Sequence, residues 1–466
     1  MKRLFGTAGI RGHYPDEINP KLIINVSSGV ANYFQAKKAV IGGDCRLTTP
    51  ILKLSAAIGL MSQGVDVIDI NLTPLPVLAW SVREFGADIG LYITASHNPP
   101  EDNGVKVFKQ NGVELFEREE IEIEKLINER KLVAIANWKD TGTYMTETNV
   151  IEHYINELHN LAIVTAPKII PKVLIDCANG PASLITPKVL TSMGAKVVSI
   201  NSHIDGRFPG RSPEPRPDTL EPFTKLAQKI GVDIFLAHDG DGDRLAVVDP
   251  QRGFIKQDRL IAFFAKRYLN EKKGTIVVSI DCGYAVREVV EEMGGKLVVT
   301  KLGKTHEKLV QLSDSLMAAE PWKLIDPSWG LWTDGIYQAV MITKIMMKEG
   351  LKLYDLLKTV PDYPQARCAI RVPKGVKEKL YDYLTQYILR KMPKPKEVLT
   401  IDGMRVNEEN YWILIRKSGT ESKVRIYCEA KTAKELKDLV TDLLIAAKRY
   451  LRKIDVEKFE IEKAIM

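Results

Sequence analysis

Asp239, Asp241 and Asp243 occupy alternate positions in the stretch Ala-His-Asp-Gly-Asp-Gly-Asp-Arg, directly after the apolar run 234–237. Three carboxylates this close repel one another, and a hard divalent cation among them is the usual remedy. Gly240 and Gly242 leave the backbone free to curl so that the side chains can converge. An apolar strand feeding the loop places it at the carboxyl end of a sheet, where α/β proteins hold their ligands. Arg244 follows at once, and a cation beside a metal cluster suits an anionic group such as phosphate. An EF-hand is excluded: its sixth position, a glycine, falls on Arg244, and its twelfth, a bidentate glutamate, falls on Pro250. The flanks 233–236 and 245–248 read as strands. A solvated acidic turn is the plain alternative, and Mg²⁺ is the expected ion.

Four other places offer reactive or phosphate-binding groups. Ser96, in Thr94-Ala-Ser-His-Asn-Pro, follows the apolar run 89–93 and precedes two prolines, so it is expected in an exposed, rigid turn. It is a candidate nucleophile or phosphate carrier; most serines in such turns only shape the turn. His97 joins it as a catalytic candidate, although a neighbouring histidine is poorly aimed at the serine beside it, and no GxSxG elbow occurs. Lys106, in Asp102-Asn-Gly-Val-Lys, is a candidate general base or phosphate holder, against the alternative of a solvated lysine. Arg416-Lys-Ser-Gly-Thr, with Glu421 and Arg425 beyond it, collects hydroxyl, backbone N–H and guanidinium donors suited to a phosphate dianion. Gly303-Lys304-Thr305 ends like a P-loop, but the required first glycine falls on Val298; nucleotide binding by that route is excluded. Lys304 remains a substrate-binding candidate.

The elements that must position these groups form an internal repeat. Asp44-Cys45, Asp176-Cys177 and Asp281-Cys282 each follow or end a strand-like run. Each precedes a helical stretch, which ends in a glycine and a second strand beginning at Gly64, Gly194 or Gly295. Strand–helix–strand at this spacing is a βαβ unit, so three related α/β domains with parallel or mixed sheets are expected. Each unit adds a polar loop: 92–100, the aspartate loop, and 318–323. Beyond about residue 368 the pattern changes to strands at 400–406, 411–416 and 423–429 and an amphipathic helix at 433–452, an α+β domain. Residues 391–396 read as a loop within it. The expected domains are 1–148, with the serine loop, 149–250, with the metal loop, 251–368, with the polar loop 318–323, and 369–466, with the phosphate-binding loop.

A chain of 466 residues has room for roughly three or four domains of about 100–150 residues. Its 45% hydrophobic and 27% charged residues describe an ordinary globular protein. The net charge of +7, with no long basic block, fits a small anionic substrate and argues against nucleic acid. The five scattered cysteines form no CxxC pair and are read as small, mostly buried thiols in a reducing compartment. The first residues do not read as a signal peptide, and no apolar run approaches the ~18 residues of a membrane span. A cytoplasmic protein, monomer or homodimer, is expected.

Together the loops resemble the α-D-phosphohexomutases, the phosphomannomutase/phosphoglucomutase and phosphoglucosamine mutase family. Thr94-Ala-Ser-His-Asn-Pro looks like the phosphoserine loop, Asp239-Gly-Asp-Gly-Asp-Arg like the metal loop, and Arg416-Lys-Ser-Gly-Thr-Glu like the C-terminal phosphate loop. Phe5-Gly-Thr-Ala-Gly-Ile-Arg-Gly matches the N-terminal signature. Asn103-Gly-Val-Lys and Pro213-Glu-Pro are similar to further segments. The resemblance spans essentially the whole chain and implies four domains around a central cleft, with the last domain hinged.

It also implies a mechanism. Ser96 carries a phosphoryl group; Asp239, Asp241, Asp243 and Ser96 hold Mg²⁺; Arg416, Ser418, Gly419, Thr420 and Arg425 grip the phosphate of the substrate. A hexose 1- or 6-phosphate of glucose or mannose becomes a bisphosphorylated sugar and returns its other phosphate to the serine, with sugar 1,6-bisphosphate as activator. Arg11 and Arg244 neutralise charge, and Lys106 manages the proton. The chain departs from the pattern at the third loop, where the family often reads Gly-Glu-x-Ser-Gly-His and this sequence reads Ala319-Glu320-Pro321-Trp322-Lys323-Leu324. Glu320 is kept to bridge sugar hydroxyls, and Trp322 is a candidate to stack on a sugar face. The departure leaves phosphoglucosamine and phosphopentose substrates open. A phosphosugar-binding protein without catalysis and a metal-dependent phosphatase are the readings from other classes.

Overall fold

A computed structural model describes residues 3–6, 9–129, 135–373, 375–419 and 421–465. The chain divides into two compact units, one of Met1–Gln257 with Leu309–Thr359, the other of Asp258–Lys308 with Val360–Met466.

The first unit contains two mixed sheets. One runs in the order Ile10–His13, Asp102–Lys109, Ile89–Ile93, Lys38–Gly43, Asp66–Leu72, Tyr144–Thr146. Its βαβ heart is parallel, Lys38–Gly43 lying between Asp66–Leu72 and Ile89–Ile93. Asp102–Lys109 then folds back antiparallel on Ile89–Ile93. Helices Pro20–Phe34 and Thr49–Met61 pack together, and Gly59 lets them close: a Cβ there would lie 2.6 Å from the carbonyl oxygen of Ile24. Ile23, Val26, Leu52, Leu60, Ile41 and Leu91 are among the side chains of this core. The second sheet runs Gly253–Phe254, Leu245–Asp249, Ile234–His238, Lys172–Asp176, Lys196–Ile200. It is parallel at Lys172–Asp176 and its neighbours and antiparallel where Leu245–Asp249 returns along Ile234–His238. A hairpin, Ser315–Glu320 with Lys323–Ile325, completes the unit's strands together with helix Gly335–Glu349.

The second unit holds the parallel pair Thr275–Ser279 and Lys296–Thr300 linked through helix Tyr284–Glu292. It also holds an antiparallel sheet in the order Glu397–Leu399, Met404–Asn407, Tyr411–Lys417, Lys423–Ala430, Gln365–Arg371, Glu460–Ile465. Helix Ala433–Lys453 presents Leu436, Val440, Leu443, Ala447 and Leu451 to that sheet's core. The strand expected at 400–406 begins only at Met404, because Asp402 and Gly403 turn the chain there; Gly403 has φ +84°. Residues 392–396 form the expected loop. Four cysteines are buried, Cys45 is partly so, and all five are free thiols. No helix among the described residues is long and apolar enough to cross a membrane.

A buried carboxyl pair sits inside the second unit. The Gln365 amide nitrogen donates to both Asp258 and Glu429, and Glu429 also accepts from Tyr284 N at 2.6 Å and Trp412 Nε1 at 2.9 Å. Burial and the nearby Asp258 push the Glu429 carboxyl up to about 7 despite these donors. The native state therefore keeps a proton that an unfolded glutamate has lost above its ordinary range. Stability from this group is greatest at low pH and falls as pH rises to about 7, by roughly 2–4 kcal/mol. Thermal midpoints of the wild type should decline between pH 5 and pH 8, and Glu429→Gln should flatten that slope; an unchanged slope would show that another group carries it.

Candidate active site

Two hairpin tips build the site within the first unit. Ser96 lies in the turn between Ile89–Ile93 and Asp102–Lys109, whose register sets Tyr92 opposite Lys106. The serine adopts φ +53°, and it is fully buried, not exposed as the sequence suggests. The reason lies in another part of the chain, for Gly240 packs on it so closely that a Cβ there would sit 2.5 Å from the Ser96 carbonyl oxygen. Ser96 N donates to Thr94 Oγ1 at 2.7 Å, and that hydroxyl donates to Asp44 Oδ2 at 2.7 Å.

Arg46 clamps the whole turn. Its Nε donates to Asp44 Oδ2 at 3.1 Å, Nη2 to the carbonyls of Ser96 and Asn98 at 2.8 and 2.6 Å, and Nη1 to those of Asp102, at 2.9 Å, and Pro99. All five N–H donors of the guanidinium are used, and its face lies over the Phe208 ring at 5.0 Å.

The aspartate loop is the second tip, joining Ile234–His238 to Leu245–Asp249. It sits at the carboxyl end of the first of these strands, as its sequence implies. All three aspartates are fully buried, with one ligand oxygen of each within 4.8 Å of the others. Asp239 Oδ1 accepts from the backbone N–H groups of Gly242 and Arg244, each at 3.1 Å, and Oδ2 accepts from Ser96 Oγ at 2.8 Å. Lys106, buried and not solvated, places Nζ 2.7 Å from Asp243 Oδ2 and 3.2 Å from Asp241 Oδ2. Lys323 Nζ reaches the same Asp243 oxygen at 3.2 Å. Arg244 Nε stands 3.7 Å from Asp239 and 3.8 Å from Asp243.

Burial and the neighbouring Asp241 and Asp243 hold the Asp239 carboxyl well above the usual range. Burial opposes the charged form of Asp243 as well, but Lys106, Lys323 and Arg244 outweigh it and keep that group well below the range. Asp241 Oδ1 and Asp243 Oδ1 are buried with no hydrogen-bond partner among the described residues. Two orphaned carboxylate oxygens, a third carboxylate and a hydroxyl make an all-oxygen donor set that fits Mg²⁺. Asp239, Asp241, Asp243 and Ser96 are the residues that could hold it.

Arg11 lies on Ile10–His13 opposite Gly104. Its Nη1 donates to the Ala95 carbonyl at 3.3 Å, while Nε and Nη2 are buried without partners among the described residues. Burial draws its pKa down, against the pull of the three aspartates. Two unused donors of a guanidinium fork beside the serine turn suit an oxyanion. His97 is held neutral, first by burial and then by Arg244 and Arg11; no bond joins it to Ser96 among the described residues. In the third hairpin Glu320 pairs with Lys323 across Pro321-Trp322. Proline followed by a residue at φ +80° has the form of a type II turn, where glycine or asparagine is usual. The Trp322 ring packs on Phe254, with centroids 5.4 Å apart.

The phosphate-loop candidates gather in the second unit. Arg416 Nε donates to Asp402 Oδ2 at 2.7 Å, Ser418 Oγ accepts from Glu421 N at 3.2 Å, and Lys377 Nζ donates to the Ser418 carbonyl at 2.9 Å. The space around Gly419 is open. Arg425 stands opposite Arg416 on the adjacent strand. Lys304 belongs to the same unit: Leu302 N donates to the Asp402 carboxylate that holds Arg416, and Lys304 Nζ lies 3.4 Å from Glu307. Thr420 lies outside the described residues, as do Thr7 and Ala8 of the N-terminal signature.

Four models of phosphoglucomutase/phosphomannomutase domains match the chain: alpha/beta/alpha domain I over residues 2–134, domain II over 152–253, domain III over 256–363 and the C-terminal domain over 369–446. A phosphopentomutase of Thermococcus kodakarensis is 41% identical over 443 residues, covering 94% of this chain and 96% of the relative. A phosphoglucosamine mutase of Methanococcus maripaludis is 35% identical, covering 92% and 95%. A crystal structure of a phosphoglucomutase/phosphomannomutase family protein from Burkholderia thailandensis superposes with a TM-score of 0.83 at 25% identity, covering 96% of this chain and 98% of that one.

Sequence reasoning missed Asp44, Arg46 and Thr94 and gave Lys323 no definite partner. Asp44-Cys45-Arg46 was visible only as the end of a repeated strand; an arginine two residues after such an aspartate was the available signal. Replacing Arg46 by lysine keeps a charge but leaves backbone carbonyls of the serine turn unpaired. Arg46→Lys should lower kcat at least tenfold with KM little changed, and Arg46→Ala should cost about 3–5 kcal/mol of stability by stranding Asp44. Steady-state kinetics alongside urea unfolding would separate the two; unaltered turnover per folded molecule would leave Arg46 a purely structural residue.

Proposed function

The chain belongs to the phosphoglucomutase/phosphomannomutase family, and from that premise we propose that it is a phosphosugar mutase working through a phosphorylated Ser96. The observation that carries this reading is the Ser96 hydroxyl, 2.8 Å from Asp239 inside a buried carboxylate cluster with two orphaned oxygens. Phosphoryl transfer asks for positioning and charge neutralisation more than covalent activation. Bound Mg²⁺ would supply electrostatic stabilisation of the transferring phosphoryl group.

The rest is done by the chain's own side chains. The φ +53° turn and the Arg46 clamp fix the Ser96 oxygen. The unused Arg11 donors face the phosphoryl oxygens. A sugar hydroxyl attacks the phosphorus, the bond from phosphorus to Ser96 Oγ breaks, and the sugar becomes a bisphosphate. The proton leaving that hydroxyl and the one gained by Ser96 Oγ balance. Lys106, hydrogen-bonded to Asp241 and Asp243, is positioned to relay it. The bisphosphate turns over, and its other phosphate returns to Ser96. The loop of Arg416, Ser418, Gly419, Thr420 and Arg425, with Lys304, holds the phosphate that is not reacting, and Glu320 engages sugar hydroxyls.

Hexose 1- and 6-phosphates of glucose and mannose are the proposed substrates, with sugar 1,6-bisphosphate as activator. A pentose phosphate is the second reading. It is favoured by the altered third loop, in which Trp322 packs on Phe254, and by the 41% identity to a phosphopentomutase. Turnover of glucose, mannose, glucosamine and ribose phosphates, measured with Mg²⁺ and a trace of bisphosphate, ranks these choices. No turnover of any of them would end the mutase reading. Ser96→Ala should lose roughly 10⁴-fold or more in kcat together with the phosphoryl adduct seen by intact mass. Chelation by EDTA should abolish turnover, and added Mg²⁺ should restore it.

A further inference from the structure

Helix Thr49–Met61 is apolar on every side. Its inner face, with Leu52, Ala56, Ala57 and Leu60, is buried. Its exposed positions are Pro50, Ile51, Leu54 and Ile58, and none is polar. Its one charged side chain, Lys53, is turned into an ion pair with Asp69 at 2.8 Å. A helix apolar all round is ordinarily a buried helix.

The face does not stop at the helix. Leu47 precedes it. Ala136 N donates to the Ser62 carbonyl and Gly142 N to that of Met61, which lays residues 135–142 against the helix C-terminus. Ile135 and Trp138 stand there. Leu47, Ile51, Leu54, Ile58, Ile135 and Trp138 are all between 46% and 79% exposed. Tyr144 Oη and Lys53 Nζ both bond Asp69, so the Tyr144 side of the edge strand Tyr144–Thr146 borders the same face.

We infer that this face is the interface between two copies of the chain. The six residues present roughly 700 Å² to solvent, close to the ~800 Å² that each partner of a standard-size interface buries. A two-fold axis through the face sets the stripe Ile51, Leu54, Ile58 against its own copy, so the contact closes at two chains. A membrane-surface helix carries lysine and arginine along a polar face, and this helix has none there. The assignment is independent of the catalytic reading.

Sedimentation velocity at tens of micromolar tests it on the full chain. The wild type should run at twice the 52.3 kDa chain mass. Leu54→Glu and Ile58→Glu should each raise the dimer dissociation constant at least tenfold, with far-UV circular dichroism and specific activity unchanged. If one of them fails to fold, Ile51→Ser carries the same readout. A monomeric wild type overturns the inference, as does a dimer that all of these substitutions leave intact. A monomer that floats with phosphatidylcholine vesicles would assign the face to lipid instead.

Discussion

Three aspartates share one fully buried space, and the first unit is arranged around that difficulty. Two like charges about 4 Å apart repel by about 4 kcal/mol even at an effective dielectric constant of 20, and three such pairs would arise with all three ionised. That penalty rivals the net stability of a folded domain, about 5–15 kcal/mol. The structure answers with cations brought from distant parts of the sequence. Lys106 comes from the serine hairpin, Lys323 from a hairpin more than two hundred residues further on, and Arg244 from the loop itself. The answer is lopsided, because Lys106 and Lys323 converge on a single oxygen of Asp243 while its other oxygen and one of Asp241 accept no hydrogen bond among the described residues.

The same local device supplies three loops. Each candidate loop of the first unit joins two antiparallel strands: 94–101, 239–244 and 321–322. A hairpin tip held by a rigid ladder fixes side-chain positions better than an open loop, which matters where transfer depends on ångström placement. Strain collects at these tips. Ser96 has φ +53° and Trp322 has φ +80°, conformations in which a non-glycine residue is uncommon and a bulky one is an outlier. Such strain persists only where the surroundings over-determine it. For Ser96 the surroundings are visible as Arg46 and the glycine-tight contact with Gly240.

How much of this was legible in the sequence follows from where each cause lies. The aspartate loop was legible because its cause is local, in spacing, glycines and the preceding apolar run. The βαβ units and the C-terminal helix were legible for the same reason, since periodicity and glycine caps act within a few residues. The burial of Ser96 was not, because its two prolines argue for a surface turn and the residue packed on it, Gly240, comes from the distant aspartate loop. Arg46 was hidden because its partners lie at 96, 98, 99 and 102, some fifty residues on. Lys106 reads as a surface lysine until the partners at 241 and 243 are known. The late start of the strand at Met404 follows from Asp402-Gly403, a turn signal inside an otherwise β-like run.

The third hairpin ties the proposed sugar contact to the carboxylate cluster. Glu320, the candidate for sugar hydroxyls, and Lys323, which leans on Asp243, are paired residues across the same two-residue turn. Burial opposes the charge on Lys323, yet Asp243 and Glu114 raise its pKa and keep it a cation. Shifting Glu320 to suit a different sugar therefore drags a charge that the carboxylate cluster needs. Trp322 stiffens the link: its ring packs on Phe254, its backbone N–H donates to Gln257 Oε1, and its carbonyl accepts from Leu245 N of the strand that leaves the aspartate loop. A glycine at that turn position would remove the strain at φ +80° and with it the packing that ties hairpin to cluster. On the proposed reading, substrate choice and phosphoryl transfer rest on one small rigid element, so a change of sugar is expected to require coordinated substitutions on both sides of the turn.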